Sequence, residues 1–123
     1  MSTRYAVDKQ GKYLGGFGEG ASLPPESIEV VAPPDNADQP WLFPGWGPSP
    51  SAIRWIEDEW RRAELIVVAA QSDAIEEAEA GVPPGDLLPG PRKEWLRYRG
   101  LVRNWVEGRE GYPDIKQRPK RPT

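Results

Sequence analysis

The chain has 123 residues and neither histidine nor cysteine among them. Without those side chains there is no Ser-His-Asp or Cys-His nucleophile, no Cys/His zinc site, no haem or iron–sulfur ligation and no disulfide. Carboxylate chemistry remains possible. Long apolar runs are missing too. The longest, Leu65-Ile66-Val67-Val68-Ala69-Ala70, has six residues, far short of the roughly 20 that cross a bilayer. Met1-Ser2-Thr3-Arg4-Tyr5 opens no hydrophobic signal region, so the expectation is a soluble protein without an export signal of its own. Hydrophobic residues make up 37%, too few for a large autonomous core.

What the chain does have is proline (15), glycine (13) and six tryptophans. The first two favour irregular structure. Six large apolar rings are costly to leave in water. Many anchors and little core predict burial of some rings on a partner or on a second copy. The net charge of −3 hides an asymmetry: residues 1–90 carry six basic and fifteen acidic side chains, residues 91–123 ten and four. A nucleic-acid-binding tail is one meaning of such a split, and pairing of the two halves within or between subunits is the other. Acids interspersed among the basic residues favour pairing, so no nucleic acid is expected as partner.

Residues 3–32 read as a short antiparallel sheet. Arg4-Tyr5-Ala6-Val7 and Lys12-Tyr13-Leu14-Gly15 flank the turn Asp8-Lys9-Gln10-Gly11, and Ser27-Ile28-Glu29-Val30-Val31 alternates as a third strand. Gly15-Gly16-Phe17-Gly18-Glu19-Gly20 reads as a flexible loop. Its G-x-G-x-x-A spacing lacks the helix a phosphate site requires, because Ser22-Leu23-Pro24-Pro25 follows. Residues 33–50 hold six prolines with Trp41, Phe43 and Trp46. A solvated linker would not carry those rings. Packing on the following helix or a protein partner is expected, with a carbohydrate platform as the alternative.

Residues 51–80 form the longest helical pattern, capped by Ser49 or Ser51 and ended by Gly81 and Pro83-Pro84. Ile53, Ile56, Trp60, Ala63, Val67, Ala70 and Ala74 share one face, and Ile56, Trp60, Ala63, Val67 and Ala70 form a candidate oligomer seam. A ten-residue loop leads to a second helix, Arg92 to about Gly108, with Trp95, Tyr98, Val102 and Trp105 at core spacing and Leu101 beside them. Arg92, Arg99 and Arg103 lie on a neighbouring stripe. The end, from Tyr112 on, is expected to be extended, ordered only where Tyr112 and Ile115 find a surface. The fold class is therefore α+β. Residues 1–50 form a β-hairpin region with a Pro/Trp-rich segment, and residues 51–123 a module of two or three helices with an extended basic tail.

Glu57, Glu64 and Asp73 could serve glycoside chemistry only if they lined a cleft. On one charged helix they read as a solvated face, so no enzyme, metal or cofactor is expected. Trp, Tyr and Arg are the residue types enriched in interface hot spots. Trp95, Tyr98, Arg99, Leu101, Val102, Arg103, Trp105 and Tyr112, with Trp41, Phe43 and Trp46, are therefore the candidate partner-binding set. Ordinary docking of the second helix onto the first is the competing reading.

Trp95-Leu96-Arg97-Tyr98-Arg99-Gly100-Leu101-Val102-Arg103, then Tyr112-Pro113-Asp114, then Arg118-Pro119 and Arg121-Pro122, resemble the tail assembly chaperone family of tailed bacteriophages. That family has a W-x-x-Y-R-x-x-L-R-like helix, a Y/F-P-D segment and a Pro-rich end. Arg61-Arg62-Ala63-Glu64-Leu65 and Gln71-Ser72-Asp73 look like its R-x-x-L and S-D elements, although Ala74-Ile75 stands where the family has Trp-Thr. The N-terminal half is similar to small tail-fibre-associated proteins. The resemblance implies a non-enzymatic phage protein of the host bacterial cytoplasm, and the all-round apolar stretch 65–70 adds the expectation of a homo-oligomer. It would bind a tail-fibre or other tail protein, assist its folding, trimerisation or attachment, and in some cases stay in the virion tail. A structural virion component and an inhibitor of a host defence system are the alternatives.

Overall fold

A computed structural model describes residues 2–123 and bears out an α+β fold. Contacts divide the chain into two compact units, one ending at Ile53 and one running from Arg54 to Thr123. In the first, β1 (Arg4–Val7), β2 (Tyr13–Phe17) and β3 (Ile28–Val30) form an antiparallel sheet in the order β2-β1-β3. Ala6, Val7 and Val30 are its buried apolar residues. The β1–β2 turn is organised by Asp8, whose Oδ1 accepts the backbone N–H groups of Gln10 and Lys12 at 2.9 Å each. Gly11 completes it at φ +89°, where a Cβ would stand 2.2 Å from the Trp41 carbonyl oxygen. No other residue fits.

Two expectations for this unit are corrected. The first three residues of the glycine-rich stretch do not loop but continue β2, with Gly16 opposite Tyr5. The Tyr5 ring lies over that glycine, 3.3 Å from where a Cβ would be, covering backbone that would otherwise leave a gap. The aromatic segment, expected against the following helix or a protein partner, packs on the hairpin. The Trp41 N–H donates to the Gly11 carbonyl at 2.8 Å, and Trp46 meets Tyr13 edge-to-face at 5.8 Å.

Helix α1 spans Pro50–Glu79. Ser49 caps it, its Oγ accepting from the Ala52 N–H at 3.1 Å, and Pro50 occupies the first turn, where its missing N–H costs nothing. Asp38 accepts from the Ser49 hydroxyl and the Ser51 N–H, and those bonds, Ser49's first, hold its carboxyl at about 2. At the far end Gly81 (φ +91°) donates to Ala78 and Val82 to Glu77, the paired bonds of a Schellman stop.

Helix α2 covers Arg92–Arg103, five residues short of the expected end. Asn104 leaves the helical region at φ −91°, ψ 4°, and the chain turns so that Trp105 donates its indole N–H to Glu57. A 3-10 turn, Ile115–Gln117, capped by Asp114, interrupts the segment expected to be wholly extended. Val68, Ile75, Trp95, Tyr98 and Val102 make the core, with Trp60, Leu65 and Leu88 against it. Each such buried apolar side chain contributes about 1.5–3 kcal/mol. Gln71 fixes the connection between the helices through both amide groups, donating to the Leu88 carbonyl and accepting from its N–H at 2.9 Å each.

The buried stripe of α1 is Glu57, Glu64, Val68, Gln71, Ala74 and Ile75. The apolar periodicity put the contact face on Ile53, Ile56, Trp60, Ala63, Val67, Ala70 and Ala74; Ala74 is buried, but the rest lie largely one position earlier, and one residue turns a helix by about 100°. Of that set Ile56, Ala63 and Ala70 are exposed, while Ile53, Trp60 and Val67 are half-buried. The inward face is the more polar one. No described helix is long and apolar enough to cross a membrane.

Candidate protein-binding surface

The surface is assembled from α1, α2 and the segment that follows them. Trp95, Tyr98, Val102 and Trp105, read as partner-facing, are core residues with 3% exposure or less. Trp95 stacks edge-to-face on Tyr98 at 5.6 Å and donates its indole N–H to the Pro89 carbonyl. These rings lie inside the second unit and hold α2 in place. The same helix presents Leu96, Arg99, Leu101 and Arg103 outward. Between Leu65, Val68, Ala69, Ile75, Trp95 and Leu96 an apolar groove of about 100 Å³ opens, with Ser72, Arg92 and Arg99 on its rim. Arg92 is paired to Glu79, with its Nε at 3.0 Å. Arg99 has no ion-pair partner among the described residues.

The remaining candidates lie elsewhere. Tyr112 is half-buried, its hydroxyl donating to Asp58 at 2.8 Å and its ring against Trp105 at 5.5 Å. Burial, then the Asp58 carboxylate, pushes that phenol up to about 12. Trp41, Phe43 and Trp46 sit in the tight loop 41–46, where Leu42 donates to the Gly45 carbonyl at 2.8 Å. Trp41 and Trp46 meet at 5.1 Å, and Phe43 projects with 48% exposure.

The expectation for Glu57 and Glu64 is overturned. Neither is solvated: their side chains are 2% and 7% exposed. Glu57 accepts two bonds from the Arg118 guanidinium, at 2.6 and 2.7 Å, and one from the Trp105 indole at 3.1 Å. Glu64 accepts two from Arg121, at 2.5 and 2.9 Å, and one from the Tyr98 hydroxyl at 2.7 Å. Arg118, then Trp105, holds the Glu57 carboxyl below its ordinary value; Arg121, then Tyr98, does the same for Glu64. Burial, then the Glu64 charge, drives the Tyr98 phenol up. Arg118 also lies 4.8 Å over the Trp60 ring.

These four charged residues are what a reading of the sequence missed, and a signal for them exists. Seven residues of helix span about 10.5 Å. Three residues of polyproline geometry, favoured by Pro119 and Pro122, span about 9.3 Å. Glu57 to Glu64 and Arg118 to Arg121 are therefore matched rulers of opposite charge. They also account for part of the charge asymmetry, pairing two acidic residues of α1 with two basic residues of the tail inside one unit.

Among the described residues no three acidic side chains gather as a metal site. Compared with protein-family models, curated proteins and solved structures, the chain has no match in any of the three.

Proposed function

We propose that this protein is a non-enzymatic assembly chaperone of a tailed bacteriophage, which binds a tail-fibre or other tail protein in the host cytoplasm and assists its folding, trimerisation or attachment. The observation that carries the binding reading is the open groove between α1 and α2, apolar in its walls and rimmed by arginines. Fibre proteins are long, β-rich and trimeric, so strand edges and apolar seams are exposed before assembly. A groove ending in Arg99 suits an apolar segment that carries a carboxylate. The non-enzymatic part is supported by the two buried carboxylates. Every oxygen of Glu57 and Glu64 is engaged by a donor, and a carboxyl with a depressed pKa holds no proton to give at neutral pH. The tail-protein identity rests on the resemblance of residues 95–103 and 112–114.

The test is capture of the co-expressed tail-fibre protein of the same phage. Arg99→Ala with Leu96→Asp should weaken capture at least about thirtyfold, the loss of a hot spot worth about 2 kcal/mol. Both side chains are exposed, so folding stability should move by no more than about 0.5 kcal/mol. Undiminished capture by a folded double variant would refute the groove as the binding surface.

A further inference from the structure

The segment after Tyr112 returns along α1 and is held there mainly by charge. Pro119 and Pro122 are half-buried, while Lys120, Arg121 and Thr123 are exposed. Tyr112 and Trp105 are anchored independently, through Asp58 and Glu57. Peeling residues 118–123 away would therefore leave the unit's aromatic core in place. It would uncover two carboxylates, each still oriented by a neutral donor from the Trp105 indole or the Tyr98 hydroxyl, with the Trp60 ring beside them. Preoriented carboxylates next to an aromatic face are a receptor for guanidinium groups.

We propose that this channel, built from Glu57, Trp60, Glu64 and Tyr98, is an exchangeable recognition site for an extended segment carrying two arginines three residues apart, supplied by a partner protein, with Arg118-Pro119-Lys120-Arg121 as its resident occupant. The two-turn separation of the glutamates sets the spacing, and the bidentate geometry at both ends selects arginine over lysine. A second copy of this chain is a poor competitor. Its tail makes the same contacts and lacks the tether, which gives the resident tail an effective concentration of about millimolar. A different protein can add contacts. A cleft of about 380 Å³ lies between Pro91, Glu94, Arg97, Tyr98 and Leu101 and the tail's own residues 120–123, so an incoming segment meets the first five once the tail has left. This site is separate from the apolar groove and does not depend on the tail-protein reading.

The experiment uses the full chain and a fluorescent peptide of residues 114–123. The host variant is R118K/R121K, which keeps the tail's charge and loses both forks. The peptide should bind this host at least tenfold more tightly than it binds the wild-type chain. A peptide carrying the same two lysine substitutions should bind the host at least tenfold more weakly, and E57Q/E64Q in the host should abolish binding. In R118A/R121A, where the uncovered carboxylates lower the melting temperature, the arginine peptide should raise it in proportion to log concentration. Equal binding of arginine and lysine peptides, or no binding and no thermal rescue, would overturn the proposal. So would a wild-type dimer that the peptide dissolves, since the occupant would then be a second copy.

Discussion

The two units solve the same problem, a shortage of apolar residues, by opposite means. Up to Ile53 no ion pair is buried, and order comes from backbone hydrogen bonds, from Asp8 and Asp38 accepting backbone and hydroxyl donors, and from edge-to-face rings. The Arg4–Glu29 pair there is about half exposed on both sides and contributes little. From Arg54 on, two glutamates are inside, each closed over by an arginine (Arg118 20% and Arg121 47% exposed) and an aromatic donor. Buried pairs cost desolvation that their attraction hardly offsets. What they determine is register: which tail residue stands against which turn of α1. The first unit is therefore neutral in its closure and the second electrostatic.

The largest expected effect breaks that contrast directly. Arg118→Ala leaves the Glu57 carboxylate buried with only the Trp105 indole as donor. Breaking a buried pair costs about 3–5 kcal/mol, and the low end applies because Arg118 is 20% exposed. A loss of about 3 kcal/mol is expected in chemical denaturation of the second unit, with the amide signals of Gly11 and Trp41 unmoved. A loss below about 1 kcal/mol would mean that solvent screens the pair and that the second unit is not electrostatic in its closure. Glu57→Gln, which removes the charge but keeps an acceptor, should cost less than Arg118→Ala.

Acid should separate the units next. Glu57 and Glu64 have folded-state pKa values below the ordinary 4.5. Their contribution is complete above that value and is lost as pH falls through the lowered ones. The second unit should lose structure progressively below about pH 4.5. The first buries no carboxylate, and its exposed Asp38, held at about 2, gives up its hold on Ser49 and Ser51 only as pH falls from 3.8 toward 2. Residue-resolved NMR from pH 6 to pH 2 reads the order of loss, and simultaneous melting of both units would contradict the comparison. Added salt should weaken the buried pairs less than it weakens Arg4–Glu29.

How much of this was legible in sequence follows from the same division. The hairpin, its turn, both ends of α1 and the start of α2 are local events, written in Asp8, Gly11, Ser49, Gly81 and the proline before Arg92. The inward face of α1 was not, because apolar periodicity finds the core only where the core is apolar. Glu57, Glu64 and Gln71 point inward, so the rule selected the face beside the true one. Continuing the α2 pattern to Trp105 failed for a related reason. Trp105 is buried by a hydrogen bond reached after the helix has ended. The candidate site suffered most, since Trp95, Tyr98 and Val102 fit a core as well as an interface. Only burial separates them from Leu96 and Arg99.

A middle-sized effect tests the neutral unit in turn. Gly11→Ala puts a Cβ into the Trp41 carbonyl at a positive φ. Such strain costs about 1–3 kcal/mol, and relief requires the hairpin and the 41–46 loop to separate. The expected signature is a lower melting temperature for the first unit together with a red-shifted tryptophan emission. Unchanged emission would mean that the loop does not depend on that contact. The second unit's denaturation midpoint should stay where it is.

The smallest effect lies on the outward face of α1, where apolar residues are left in water beside the exposed charges of Glu59, Arg62 and Asp73. Trp55 is 64% and Ile66 71% exposed, and Ile56, Ala63 and Ala70 recur at seven-residue spacing. In an isolated chain, Ile56→Ser should change stability by less than about 0.5 kcal/mol, because little burial is lost. If this face is a self-association seam, as the sequence leads one to expect, the wild-type melting temperature must rise with protein concentration, because association stabilises the folded form by mass action. The rise should be a few degrees over a hundredfold range and should vanish in Ile56→Ser, whose dilute-solution melting temperature matches the wild type. A flat wild-type curve over that range, with light scattering giving the monomer mass, would remove the seam. The apolar stripe would then be surface left over from a helix whose inward face was given to charge.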